Sequence, residues 1–504
     1  MDLTIIITEI LIILIIWIFF VYFIGTRKYR TVKPYGPALM ISTEKGRKSI
    51  EKISKFKFWD YYGISAIYIT LISMVLTFAL LIWEAILVIG LPKSSAPNPL
   101  AVIGLPGINP YIPVSYGIVG LIIAVVIHEF SHGIQSAKNS IKIKSLGVLW
   151  FIIPVGAFVE PDEEQIEKAE KKTRMKIFAA GPTTNIIAAI VALLIFLLLM
   201  SNVSVAQQGI MVVNSYNQNF KPGDLIMQIG NSTIKNVSEI NTINVNPGQN
   251  VSVKLLRNSE TVEINTISGV WVAQVLKNSP ANYAGILPGF VILKVNNIEI
   301  KNITFFYNLM DNTTANEKIN ISFLYGGKII EKSIVLVDKY DFYQGYAPGY
   351  NSPSFRGKGF LGVTVMYMNI SYSQPEYLIS LVSNPFSYGP TQGFLDLIAL
   401  PFMGLAPFPT YFQSVYSTPF ASWLFWPVAN VFYWIFWLDL MLGLTNVLPL
   451  IPLDGGYVFK DYISGILSKI KIKDADKAAY FISVALSLIV VFLILWQFIY
   501  LDFF

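Results

Sequence analysis

The stretch VVIHEFSHGI, residues 125–134, holds both histidines of the chain, four positions apart, with a glutamate beside the first. The residues around them are fit for lipid. On a helix, positions i and i+4 share a face, so His128 and His132 can aim their imidazoles at one metal ion. Glu129 is offset around the helix, close enough to serve as a base toward water held there. Two histidines scattered over 504 positions fall four apart about once in 250 arrangements. An ionisable trio in an apolar helix is costly unless it has a function. A buried histidine pair that only packs helices is the plain alternative, and Glu129 argues against it.

Working outward, apolar runs reach the roughly 20 residues needed to cross a bilayer. They cover 3–24, 62–90, 114–137, 177–200, 424–448 and 478–500, and only 13% of the chain is charged. The first run lacks the basic start and cleavage site of a signal peptide and reads as a retained helix. The expected fold is therefore a polytopic α-helical membrane protein with about six transmembrane helices. There is no cysteine, which excludes disulfides, thiolate metal ligands and a thiol nucleophile.

Charge orients the helices. Residues 25–60 carry ten basic residues, Arg27, Lys28, Arg30, Lys33, Lys45, Arg47, Lys48, Lys52, Lys55 and Lys57, against three acids, whereas 91–113 has only Lys93. Basic loops stay in the cytoplasm, so the amino terminus and 201–420 are expected outside and the cell membrane is the expected location. Nucleic-acid binding is the weaker reading of that basic run. Eight N-x-S/T sequons, at Asn202, Asn231, Asn236, Asn250, Asn302, Asn312, Asn320 and Asn369, all fall in the outside segment.

That segment changes character. From about 205 to 340, residues alternate as in strands, with turns at KPGD, NPGQ, LPGF and YGGK. KPGDLIMQIGNSTI (221–234) aligns with LPGFVILKVNNIEI (287–300), an internal repeat of 66 residues whose second copy is led in by NSPANYAGI (278–286). It resembles the PDZ domains of bacterial and archaeal membrane proteases. Two PDZ-like domains, about 205–268 and 269–340, are thus expected as an extracytoplasmic α+β insertion, able to capture peptide ends by strand addition. Residues 346–420 read as an interfacial linker. Within it, 393–408 is apolar but cut by Pro401 and Pro407.

A catalytic zinc takes three protein ligands, and with no cysteine or third histidine the last must be a carboxylate. Glu84, Asp396, Asp439 and Asp454 lie near membrane depth. Topology favours Asp454, in NVLPLIPLDGG (446–456), at the inner end of a span and level with the histidines. Asp439 is the runner-up, earlier in the same span, in an unbroken aromatic helix. Pro449, Pro452, Gly455 and Gly456 break the helix around Asp454, which membrane depth tolerates only in a buried or water-lined place.

HEFSHG together with NVLPLIPLDGG resembles the paired signature of site-2 proteases, the intramembrane zinc metalloproteases of peptidase family M50. AAGPTTNI (179–186) resembles the family's G-P-x-x-N, and VGAFVEPDEE (155–164) the re-entrant strand or hairpin after the H-E-x-x-H helix. The resemblance implies one Zn2+ per chain held by His128, His132 and Asp454. It also implies that Glu129 activates water and that Asn446 hydrogen-bonds the scissile carbonyl. Asn185 reads as structural. The extended stretch 146–160 is expected to offer an edge onto which an unwound substrate adds as a strand. The implied partners are single-span or few-span membrane proteins, cut in regulated proteolysis on the cytoplasmic side. The competing readings are a non-catalytic scaffold with a structural zinc, which Glu129 disfavours, and a transporter, for which the other spans are too poor in polar residues.

Overall fold

A computed structural model describes residues 3–27, 29, 31–43, 46–89, 98–151, 153–244, 246–346 and 351–503. Lys28, Arg30, Lys45 and Lys93, used above for topology, lie outside them, as does Ile152 of the extended stretch. The chain forms two units, one of residues 1–196, 401–407 and 427–504 and the other of residues 197–400 and 408–426.

The first unit opens with helix α1 (Leu3–Thr26). Strands β1 (Val32–Tyr35) and β2 (Ala38–Thr43) follow, joined by a turn in which Gly36 has φ 57°. Next come α2 (Arg47–Ser54), α3 (Phe58–Leu87) and α4 (Val114–Lys138). Strands β3 (Ile143–Phe151) and β4 (Ile153–Pro161), α5 (Glu163–Lys168) and α6 (Lys171–Met200) complete its first part. The four strands make one antiparallel sheet in the order β1-β2-β3-β4. The segment read as a basic loop thus supplies half of a sheet, and β4 is its edge beside α4.

Packing in this unit follows membrane rules. On α3, Tyr62, Gly63, Ala66, Ile67, Thr70 and Met74 form one buried face, while Val75 and Leu76 are 68% and 60% exposed. Large apolar side chains turned outward suit lipid, which supplies little hydrophobic drive between helices. Close contact and hydrogen bonds must supply it instead. Gly117, Gly120, Ala124, His128, Ser131 and Gln135 make the buried stripe of α4. A methyl on Gly120 would stand 2.8 Å from the Trp434 carbonyl oxygen, so the small residue sets the spacing between helices.

The second unit is mostly β. In chain order it contains β5 (Ser204–Val205), β6 (Ile210–Ser215), β7 (Leu225–Ile229), β8 (Ser232–Thr233), α7 (Val237–Thr242), β9 (Asn250–Arg257) and β10 (Glu260–Ile267). The pattern then recurs in β11 (Val270–Val275), α8 (Pro280–Tyr283), β12 (Val291–Val295), β13 (Ile298–Glu299), α9 (Ile303–Asp311), β14 (Lys318–Tyr325) and β15 (Lys328–Val335). After them come β16 (Val337–Asp338), α10 (Lys339–Tyr346), β17 (Gly359–Phe360), β18 (Val363–Tyr367) and β19 (Ile370–Ser373). Finally α11 (Pro375–Ser383), α12 (Pro390–Ala399), α13 (Thr410–Gln413) and β20 (Tyr416–Ser417) close the unit.

The internal repeat becomes two six-stranded sheets of one topology, β10-β9-β7-β6-β19 with β8 on β7, and β15-β14-β12-β11-β18 with β13 on β12. Alternation builds each core. In β14, Ile319, Ile321 and Phe323 point inward between exposed Lys318 and Asn320. Burying each such side chain contributes roughly 1.5–3 kcal/mol. At ten residues α12 spans only about 15 Å, half a bilayer.

The chain returns to the first unit with α14 (Ser422–Asn446), α15 (Asp454–Lys469) and α16 (Ala475–Phe503). Among the described residues five helices are long and apolar enough to cross a membrane: Phe58–Leu87, Val114–Lys138, Lys171–Met200, Ser422–Asn446 and the Ala475–Tyr500 part of α16. The sixth expected span is helical as α1, whose Ile15–Thr26 part is a shorter apolar helix.

Candidate metal centre

Four helices of the first unit bring the site together. The middle of α4 carries His128, Glu129 and His132. Helix α6 crosses them at Gly181, where a methyl group would stand 2.7 Å from His128 Nε2 and collide with His132 Nε2. Helix α14 ends at Asn446, and the Val447–Leu453 segment turns back before α15 begins at Asp454. The turn is compact because Gly455 and Gly456 leave no side chain where Val447, Leu448 and Leu450 backbone atoms pass. Ser487 of α16 holds it, accepting from the Ile451 N–H at 3.0 Å. The helix break expected around Asp454 lies just before it; the aspartate and both glycines form the first turn of the next helix.

Asp454 Oδ2 lies 3.1 Å from His128 Nε2 and 3.2 Å from His132 Nε2, and the two Nε2 atoms are 3.1 Å apart. Bonds of 2.0–2.1 Å in a tetrahedron place neighbouring donors about 3.3 Å apart, so these three atoms suit a zinc ion. Among the described residues this is the single group of three or more such side chains so arranged. All three are largely buried, with side chains 8%, 12% and 15% exposed.

Each histidine is oriented from behind. His132 Nδ1 donates to the Ile177 carbonyl at 2.7 Å. His128 Nδ1 lies 2.6 Å from Asn185 Oδ1, and Asn185 Nδ2 donates to Asp439 Oδ1 at 2.8 Å. Both Nε2 atoms are thereby left to face Asp454. Asn185, read from the sequence as structural, touches the imidazole directly; in the sequence it closes the GPTTN stretch, which does not show that it meets His128. Asp439 stands behind Asn185, away from the donors. Glu84 is exposed on α3, and Asp396 accepts from Gln392 at 2.7 Å in α12 of the other unit.

A cavity of about 890 Å3 opens over the donors, lined by Glu129, Val159, Asn446 and Tyr457 among others. Glu129 Oε2 accepts the Val159 N–H of edge strand β4 at 3.3 Å. Asn446 Nδ2 donates to the Leu442 carbonyl at 3.1 Å, which leaves its second N–H for the cavity. Arg174 and Asp461 line the same cavity and form a two-point ion pair at 2.7 and 2.8 Å that ties α6 to α15.

The model of peptidase family M50 matches residues 116–490, a range that takes in His128, Glu129, His132, Asn446 and Asp454. An uncharacterized protein of Methanocaldococcus jannaschii is 32% identical over 262 residues, 51% of this chain and 69% of its own length. A Borreliella burgdorferi protein named "Putative zinc metalloprotease" is 24% identical over 201 residues, 36% of this chain and 45% of its own.

Proposed function

This chain belongs to peptidase family M50, the site-2 protease family, and from that premise we propose that it is a zinc-dependent intramembrane endopeptidase. It hydrolyses peptide bonds within or next to transmembrane segments of other membrane proteins, in regulated intramembrane proteolysis. The observation that carries this reading is the meeting of His128, His132 and Asp454 at 3.1–3.2 Å under a cavity that Glu129 also lines. Bound there, zinc would supply a Lewis acid and lower the pKa of water toward neutrality.

The chain's own residues do the rest. Glu129 takes the proton of the attacking water and passes it to the departing amine. Asn446 donates its free N–H to the scissile carbonyl oxygen as charge develops on it. A helical substrate hides its peptide bonds, so it must unwind. The outer edge of β4 offers unwound backbone a partner, and the Val159 N–H bound to Glu129 lies on that edge. A strand adding there competes for this N–H and leaves the glutamate free. The two β domains act as PDZ-like modules that capture peptide ends or exclude bulky substrates. We place the protein in the plasma membrane, with the β domains outside and the site nearer the cytoplasm.

The test is purified protein with a single-span substrate, beside Glu129→Gln and a chelator. Glu129→Gln should lower kcat by roughly 10²–10⁴-fold while keeping one zinc per chain. Cleavage that survives either treatment would sink the mechanism.

A further inference from the structure

We propose that Asp439 is a positioning residue for the metal centre, acting through Asn185 to fix which nitrogen of His128 faces the cavity. This rests on the metalloprotease reading above and adds a residue that the paired signature does not contain.

Asp439 is fully buried on α14, and Asn185 is fully buried on α6. Asn185 Nδ2 donates twice, to Asp439 Oδ1 at 2.8 Å and to the Ala124 carbonyl of α4 at 3.0 Å. A carbonyl oxygen can only accept, so the amide atom facing it must be nitrogen. Oδ1 is then the atom turned to His128 Nδ1, at 2.6 Å, and Nδ1 must carry the hydrogen. The lone pair is left on Nε2, 3.1 Å from Asp454 Oδ2. One amide thus reads two acceptors on one side and sets a tautomer on the other. His132 needs no such device, because the Ile177 backbone carbonyl cannot turn over.

The helices are built for this contact. One turn beyond Asp439, a methyl on Gly443 would stand 3.2 Å from the Pro182 carbonyl and 3.3 Å from Asn185 Cβ. The absence of a side chain brings α14 onto α6 where the two polar residues meet. A polar contact needed only as glue could be met by a neutral hydroxyl or amide. An acid inside an apolar helix is the costlier choice, and its Oδ2 has no hydrogen-bond partner among the described residues. A carboxylate has no N–H of its own to offer, so it can receive the Asn185 amide in one orientation alone.

The experiment uses full-length protein in detergent, with Zn2+ affinity measured by competition against a chromophoric chelator and the visible spectrum read after Co2+ substitution. Asp439→Leu should weaken zinc by about 10–100-fold and shift the Co2+ bands, as loss of an outer partner of a metal-bound histidine does. Asp439→Asn, whose amide can turn either its oxygen or its N–H toward Asn185, should weaken zinc by less than Asp439→Leu but by more than about threefold against the parent. Asn185→Ala should lose as much as Asp439→Leu, and the double variant no more than Asn185→Ala alone, because Asp439 acts only through that amide. Parental affinity in Asp439→Leu, or in Asn185→Ala should the first variant not fold, would overturn the proposal. So would two losses that add in full. Failure of the parent protein itself to take up zinc would instead remove the metalloprotease reading, and this inference with it.

Discussion

Gly181 is the point where a single missing methyl matters most. Glycine within a helix is usually a weakness, and alanine there should favour the helix by about 0.5–1 kcal/mol. Here the space that a methyl would take is filled by the imidazole edges of His128 and His132. Gly181→Ala should therefore keep its helical circular dichroism while its zinc content falls well below one per chain. Full zinc occupancy would show that the histidines can withdraw, and that the packing at Gly181 is not what holds them. The histidine pair and Asp454 were readable because spacing, scarcity and membrane depth each restrict where a donor can sit. The Asn185 amide and Asp439 were not readable as partners of His128. Their contact depends on three helices 57 and 254 residues apart in sequence meeting at one buried point.

At the scale of elements, the position of Asp454 depends on what holds α15 against α6. Arg174 gives two hydrogen bonds to Asp461, which is 2% exposed, and others to the Glu167 and Ala169 carbonyls. Removing the arginine alone leaves a buried carboxylate without its partner, a loss of about 3–5 kcal/mol, whereas replacing both ions with apolar residues is often neutral. Arg174→Met should thus lower stability by that amount in mixed-micelle unfolding, and Asp461→Leu added to it should restore most of the loss. Equal instability of the single and double variants would mean that the pair is not what docks α15. The repeat in the other unit runs deeper than the aligned stretches suggest. Asn236 and Asn302, 66 residues apart like Pro222 and Pro288, are the N-caps of α7 and α9, each accepting the N–H three residues on. Two of the eight sequons thus serve as caps, which contribute about 1 kcal/mol each. The Asp224–Arg257 ion pair of the first copy, at 2.6 Å, becomes Phe290 against Tyr325 in the second, with ring centroids 4.4 Å apart. Strand-like content in 146–160 was legible from β-branched and aromatic residues, whereas β1 and β2 were hidden because the basic residues around them read as a topology signal.

For the whole molecule, long-range pairing decided what could be read. Residues 346–420 read as a linker in the sequence, yet β19 and β18 within them lie at the ends of the first and second repeated sheets. Their partners are remote, Tyr367 facing Val270 and Ile370 facing Ser215, and strands of five and four residues carry too little alternation to stand out. The spans were legible for the opposite reason, since each satisfies its backbone hydrogen bonds within itself and shows as one apolar run. Their orientation is read first from charge: ten basic residues in 25–60 against one in 91–113 put the first loop inside, and the sequons agree. The chain contains no cysteine, so any thiol introduced is the sole one and reports its own side of the membrane. Lys57 between α2 and α3, Lys469 at the end of α15 and Tyr283 in α8 are all exposed. In intact cells a membrane-impermeant maleimide should label Tyr283→Cys, and should reach Lys57→Cys and Lys469→Cys only after permeabilisation. Labelling in the reverse sense would turn the molecule over, placing the β domains in the cytoplasm and the mouth of the metal cavity outside.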